Sequence, residues 1–300
     1  MTTRRDFLST TAASASLLLT PLKQWASPAA APGFSLAVMA TNWGFQGDWA
    51  TFCAKVKKEG YDGIEVWWPS EEKDRAALMS ALHEYGLQVG FLCGVSDPQF
   101  EKHEPRFRAM VEGAVMSKPL YINCHSGRDF FSVEEKSKLI RLTTALSVSS
   151  GVPIYHETHR GRALYAAPVA RELMAKIPEL RLTLDISHWC NVHESLLEDQ
   201  AETVALALER TDHIHARIGH AEGPQVNDPR APEWEPAVQA HLAWWDQVVA
   251  HKKATGKPMT FLTEFGPPDY LPALPYTRIP VANQWEINVY MLQLLRKRYS

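Results

Sequence analysis

After residue 33 the chain alternates short β-branched or apolar runs with longer segments of helical period, and it does so eight times. Two periodicities taking turns indicate a parallel sheet of βα units, because parallel neighbours need a crossover long enough to hold a helix. The predicted strands lie at 34–40, 61–67, 87–93, 119–124, 152–157, 181–186, 212–218 and 259–264. The predicted helices lie near 48–59, 72–85, 101–116, 133–150, 166–177, 195–209, 235–253 and 283–298, with Gly60, Gly86, Gly151 and Pro178 where helices must stop. Eight such units in about 265 residues predict one α/β domain over residues 32–300, a single (β/α)8 TIM barrel. A doubly wound sheet would also alternate, but its Gly-rich phosphate turn is not visible.

Residues 1–31 read as an address. Thr3-Arg4-Arg5-Asp6-Phe7-Leu8-Ser9 followed by the short apolar run Ala12 to Leu19 resembles a twin-arginine export signal, with small residues at 26–31 for cleavage. That run is too short to span a bilayer, so no stable membrane anchor is expected after cleavage, and the mature chain is expected in the periplasm or otherwise exported. The twin-arginine resemblance implies cargo that crosses already folded, often with a cofactor in place. Loss of Arg4, Arg5, Lys23 and Asp6 leaves 28 basic against 33 acidic side chains, a net −5. An acidic chain is poorly suited to phosphate backbones, so nucleic acid is not an expected partner. Four cysteines make no disulfide scaffold: Cys53 falls in a helix, Cys93 and Cys124 at strand ends, and Cys190 in a loop. Free thiols are expected, with a Cys93–Cys124 bridge after export as the alternative.

Barrel active sites lie where strands end at their C-termini. Here those ends carry Glu65-Val66-Trp67 on strand two, Asn123-Cys124-His125 on four, His156-Glu157-Thr158-His159 on five and Asp185-Ile186-Ser187-His188 on six. Strand seven carries His213-Ile214-His215-Ala216-Arg217 and strand eight ends at Glu264. Carboxylates at the ends of buried strands are costly unless paired or bound to a cation, so several together ask for a metal. Glu157, Asp185, His215 and Glu264 would offer three oxygens and one imidazole nitrogen, a set suited to Mn²⁺, Co²⁺ or Mg²⁺ and less comfortably to Zn²⁺.

Glu157, then Asp185-x-x-His188, His215-x-Arg217 and Glu264, together with Gly60-Tyr61-Asp62-Gly63-Ile64-Glu65, resembles the xylose-isomerase-like barrel superfamily over the whole mature chain. That superfamily holds sugar isomerases and epimerases, inosose dehydratases and endonuclease IV. The resemblance implies that Glu157, Asp185, His215 and Glu264 are metal ligands, as in the ketose 3-epimerase branch, and that the two glutamates exchange the substrate proton from opposite faces. It implies a substrate contact for His188. Arg217 stands two residues after the histidine ligand, nearer than the epimerases place their arginine. Endonuclease IV needs more histidines and a DNA-binding surface, which the acidic charge disfavours.

The chemistry follows from the residues as well. A metal on a carbonyl and its neighbouring hydroxyl acidifies the adjacent C–H, and a carboxylate that takes the proton leaves an enediolate. Returning the proton to another face or carbon gives an epimer or isomer, whereas expelling a β-substituent gives elimination. Export favours an unphosphorylated sugar or keto-sugar over a sugar phosphate. The expectation is a metal-dependent isomerase or epimerase, with an exported lyase or dehydratase acting on 3-keto-glycosides or inososes as the alternative. An exported sugar-binding barrel without activity is the reading from another class.

Further substrate contacts are expected from Arg217, Glu65, Trp67, His125 and His159, although Glu65 equally suits a salt-bridged structural role and Arg217 equally suits neutralising the cluster. Trp43, Trp68 and Trp189 could stack on a sugar ring or pack in the core, and Trp234, Trp244 and Trp245 suit packing or a subunit contact. His156 and His220 are candidate partners of the metal ligands or satisfied structural residues. The polar loop 219–233 after strand seven is expected to overhang the site as a lid. A homo-oligomer is compatible with the sequence, which marks no interface.

Overall fold

In the computed structural model, which describes residues 33–300, successive strands and helices come from the two hydrophobic periods and close on themselves. The order is β1 (Leu36–Thr41), α1 (Trp49–Glu59), β2 (Gly63–Trp67), α2 (Glu72–Tyr85), β3 (Gln88–Gly94), α3 (Phe100–Met116), β4 (Tyr121–His125) and α4 (Val133–Ser150). It continues with β5 (Ile154–Glu157), α5 (Ala167–Lys176), β6 (Leu182–Leu184), α6 (Ile186–Val192), α7 (Ala201–Arg210), β7 (Thr211–His215), α8 (Glu235–Thr255), β8 (Met259–Thr263) and α9 (Gln284–Tyr299). All eight strands pair in parallel with their sequence neighbours, and β8 returns to β1, giving a closed (β/α)8 TIM barrel. The export signal expected over 1–31 lies outside the described residues. Among those described, no helix is long and apolar enough to cross a membrane.

Strand side chains alternate between two environments. One set, including Val38, Ile64, Val66, Phe91, Ile122, Ile214 and Phe261, packs outward against the helices in one continuous core. The other set points into the barrel, where Met39, Tyr121 and Leu262 form a small apolar plug. Gly90 makes room for it: a Cβ there would stand 2.4 Å from the Tyr121 ring carbon, its register partner's side chain. Toward the C-terminal ends the inward positions turn polar, with Glu65, Asn123, Glu157, Asp185, His213, His215 and Arg217 all at most 2% exposed. A barrel interior is normally filled by branched apolar side chains, so this polar layer is a departure that a packing role alone does not explain.

The structure differs from the sequence reading in three places. Strand six is only three residues long, because the Asp185 carboxylate accepts the Ser187 amide and caps α6, a helix not expected from the sequence. Cys190 is therefore in a buried helix and not a loop, and all four cysteines are free and buried. The expected lid at 219–233 is tied down: Val226 is fully buried, and the Gln225 side chain exchanges two hydrogen bonds with the Gly266 backbone at 2.7 and 3.1 Å. The longer connection is 264–283, after β8, and this segment brings Glu264 and Tyr270 to the barrel mouth.

Candidate metal centre and active site

Glu157 ends β5, Asp185 follows β6, His215 ends β7 and Glu264 follows β8, so four consecutive strands aim one ligand-type side chain each at the barrel axis. Donor atoms of Asp185, His215 and Glu264 lie within 4.8 Å of one another, as do those of Glu157, Asp185 and His188. His215 Nδ1 stands 2.9 Å from Glu264 Oε2 and 3.7 Å from Glu157 Oε2. Glu157 Oε1, His215 Nδ1 and Glu264 Oε2 are buried without a well-aligned hydrogen bond. Buried polar atoms are almost always partnered, so three such atoms at the ends of three strands suit a ligand absent from the protein's own atoms. Three carboxylates and one imidazole are the donor chemistry of a divalent cation such as Mn²⁺ or Mg²⁺; Glu157, His215 and Glu264 fit that group with a free atom each, and Asp185 would fit it by giving up one of its bonds to Ser187 or Arg217.

Arg217 contributes the resident positive charge. Its guanidinium bonds to Asp185, lies 2.8 Å from His188 Nε2 and 3.5 Å from Glu264 Oε2, and donates from Nε to Ser187 Oγ at 3.3 Å. Burial pushes the Asp185 carboxyl up to about 6, because desolvation and the nearby Glu264 and Glu157 outweigh Arg217. Burial also opposes charge on Glu157, but His125 and His215 overcome it and hold that carboxyl well below its usual range. His215 is driven the other way: burial disfavours its cation, yet Glu264, Glu157 and Glu65 together raise it well above an ordinary imidazole.

Beside these side chains runs a row of imidazoles. The His125 and His159 rings are 4.4 Å apart and the His159 and His188 rings 4.0 Å apart. His125 Nε2 is 2.9 Å from Glu157 Oε2. Burial holds His159 and His188 well below the usual histidine value, so both are neutral at pH 7.

The mouth is a cavity of about 410 Å³ lined by Trp43, Trp67, His125, His159, Arg217, Glu264 and Tyr270 among others, and a volume of this order suits a small molecule. Trp67 is 48% exposed with its edge toward His125, 5.3 Å between centroids. Tyr270 comes from the 264–283 connection, meets Trp43 edge-on at 4.9 Å, and lies under the Arg217 guanidinium at 4.9 Å.

Of the residues expected at the site, Glu157, Asp185, His188, His215, Arg217, Glu264, His125, His159 and Trp67 come together here. Glu65 sits at the base with both oxygens engaged by protein donors, from Tyr121, Asn123, His213 and His215, rather than presented to a substrate. His156 faces α4, held by Ser126 and Thr143 at 2.6 and 2.9 Å, and His220 stacks on Trp234 away from the cavity. Trp68 packs on Phe91, while Trp189 and Trp245 are fully buried in the core. Three contributors had no role from sequence. Asn123, which donates to Glu157 Oε2 at 2.7 Å, and Tyr121 were legible in principle, since 121, 123 and 125 share one face of a strand. Tyr270 had no sequence signal, because only the path of its loop brings it to the cavity.

A family model described as xylose isomerase-like TIM barrel matches residues 53–234. No curated protein matches the chain in sequence. The fold is similar to that of 3-keto-D-glucoside 4-epimerase from E. coli, with 13% identity, 88% of this chain and 100% of that chain covered, and a TM-score of 0.58. It is similar to a probable 3-DHS dehydratase from Bacillus anthracis, at 16% identity, 88% and 100% coverage and a TM-score of 0.57. It is also similar to a xylose isomerase-like TIM barrel protein from Mycobacterium smegmatis in complex with magnesium, at 11% identity, 88% and 98% coverage and a TM-score of 0.59.

Proposed function

Because the chain belongs to the xylose isomerase-like TIM barrel family, we propose that it is a divalent-metal-dependent enzyme that removes a proton α to the carbonyl of an unphosphorylated sugar or keto-sugar and returns it as an isomerase or epimerase. The observation that carries this reading is the pair Glu157 and Glu264, which flank His215 and each keep a buried oxygen free of hydrogen-bond partners. Glu157, Asp185, His215 and Glu264 would hold the cation, most suitably Mn²⁺, with Mg²⁺, Co²⁺ or Zn²⁺ as alternatives. A cation held there would polarise the substrate carbonyl and acidify the neighbouring C–H.

The chain's own residues do the rest. One glutamate takes the proton while the other stands across the site to return it, which is what a change of configuration requires. Arg217 is clamped by Asp185, His188 and Ser187, so its charge is in place before negative charge builds on substrate oxygen. Trp67, Trp43 and Tyr270 line the mouth and offer aromatic rings to the apolar side of a sugar. The resemblance of residues 1–31 to a twin-arginine leader supports an exported, periplasmic setting for this reaction, where free sugars and keto-sugars are met.

One observation favours a second outcome. His125 and His159 line the same cavity as Glu264, and an imidazole N–H beside the enediolate could protonate a departing β-oxygen, which would make the enzyme a lyase or dehydratase. The test is the fate of one proton. Metal-loaded mature protein is incubated in D2O with free ketoses and 3-keto-glucosides and followed by NMR, with Glu264→Gln as control. Deuterium in an epimer or isomer supports the proposal, and an unsaturated sugar with release of the aglycone supports the lyase. Tight sugar binding with no turnover anywhere in the panel would sink both in favour of a binding protein.

A further inference from the structure

Beneath the proposed ligands lies a second polar group that the reaction does not touch. Glu65, His213 and His215 have donor atoms within 4.8 Å of one another and are all at most 2% exposed. Each atom of this group that faces its neighbours is occupied. Glu65 Oε1 lies 3.1 Å from His215 Nε2, and Glu65 Oε2 lies 3.0 Å from His213 Nε2. Tyr121 donates its hydroxyl to Glu65 Oε2 at 2.8 Å, and Asn123 donates to Glu65 Oε1 at 3.2 Å. His213 Nδ1 in turn stands 2.8 Å from Thr260 Oγ1 and 3.1 Å from the Thr260 carbonyl.

Donor and acceptor roles follow in one direction. Neutral His213 donates from Nε2 to Glu65, and its bare Nδ1 accepts from the Thr260 hydroxyl. Glu65 as a carboxylate can only accept, so His215 carries a proton on Nε2. When His215 gives up its other proton, Nδ1 is the nitrogen left bare, and Nδ1 is the atom that faces Glu264 and Glu157. Asn123 reinforces the arrangement by donating to Glu65 and Glu157 at once. The alternative tautomer would point an Nε2 lone pair at a carboxylate and an N–H into the ligand cluster.

We infer that Glu65, backed by His213 and Tyr121, is a positioning residue that fixes the proton of His215 on Nε2 and so presents Nδ1 as a metal ligand. This rests on the metal-dependent reading above. It also assigns Glu65 a role other than substrate contact and leaves the Glu65–His213–His215 group without a cation of its own. Partners that orient a metal-bound histidine commonly change metal affinity ten- to a hundredfold when removed.

The experiment uses the mature protein with Mn²⁺ and Co²⁺. Mn²⁺ affinity is measured by electron paramagnetic resonance for wild type, Glu65→Gln and His213→Gln, with the bound metal counted per chain. The Co²⁺ forms are compared by proton NMR for the hyperfine-shifted, solvent-exchangeable imidazole N–H. Wild type should bind one ion and show one slowly exchanging N–H. Glu65→Gln should bind ten- to a hundredfold more weakly, with that N–H exchanging fast or lost. His213→Gln, which leaves Glu65 in place, should show the same change in smaller degree and covers the case in which Glu65→Gln fails to fold. Unchanged affinity and N–H exchange in the folded variants overturns the inference alone. A second tight ion per chain, lost in His213→Gln, overturns it in favour of a dinuclear site. Wild type that takes up no ion fails the metal-dependent reading itself, and the inference with it.

Discussion

Replacing Arg217 with methionine isolates what a single buried charge does for this site. Arg217 is 2% exposed, bonds to Asp185, approaches His188 at 2.8 Å and reaches Ser187 at 3.3 Å. Methionine keeps most of the volume, so a cavity contributes little. The main effect is a fully buried Asp185 without its counter-charge, and breaking a buried pair from one side costs about 3–5 kcal/mol. For a chain of this size about 2 °C of melting temperature is lost per kcal/mol, so EDTA-treated Arg217→Met should melt roughly 6–10 °C below wild type. Arg217→Met with Asp185→Asn removes both charges and should melt above Arg217→Met alone, a coupling read directly from the double-mutant cycle. The deficit of the single variant should also shrink at pH 5, where Asp185, already raised to about 6 with arginine present, is protonated. The measurement is calorimetric melting of the four metal-free proteins at pH 7.5 and pH 5. A double variant that melts below both singles, with no pH effect, would refute the claim that an uncompensated carboxylate is the cause.

Further outcomes are expected. Burial pushes His156 down to about 3 and His241 down to about 4, so in acid the unfolded chain takes up protons that the folded one refuses. Their stabilisation is whole above about pH 6.5 and is lost as pH falls through 6 toward 4 and 3, and His156→Gln should flatten the fall of urea midpoint over that range. Asp185, raised to about 6, acts in the opposite sense: in the metal-free protein its share of stability falls as pH rises from about 4 to about 6. A divalent cation at a hundred times its dissociation constant should stabilise the chain by about 2.7 kcal/mol, with EDTA reversing the gain; identical melting with and without metal would count against the proposed centre. Trp67→Ala, at a ring that is 48% exposed at the mouth, should raise KM several-fold and leave kcat nearly unchanged. A fall in kcat alone would place Trp67 in the chemistry.

The eightfold alternation of periods 2 and 3.6 was enough to specify the barrel, because each βα unit must bury one face of a strand and one stripe of a helix, and eight of them close. Positions Glu157, Asp185, His215 and Glu264 were legible for the same reason: they stand at the ends of predicted strands, where a barrel gathers its polar side chains. What each side chain touches was not. Glu65 reads in sequence as another strand-end carboxylate like Glu157, and only the packing of β2 beside β3 and across from β7 shows both its oxygens taken by His213, His215, Tyr121 and Asn123. Asp185 reads in sequence as a ligand candidate, and its place as the cap that ends β6 and starts α6 depends on a local hydrogen bond competing with strand extension. Tyr270 and the tethered 219–233 loop were beyond reach, since loops have no periodicity and their course is fixed by contacts such as Gln225 to Gly266 and Trp43 to Tyr270. Period and strand order thus came from the chain itself, whereas the pairing of charges came from the closed barrel, which sets Glu65 and His215, 150 positions apart in sequence, 3.1 Å from each other.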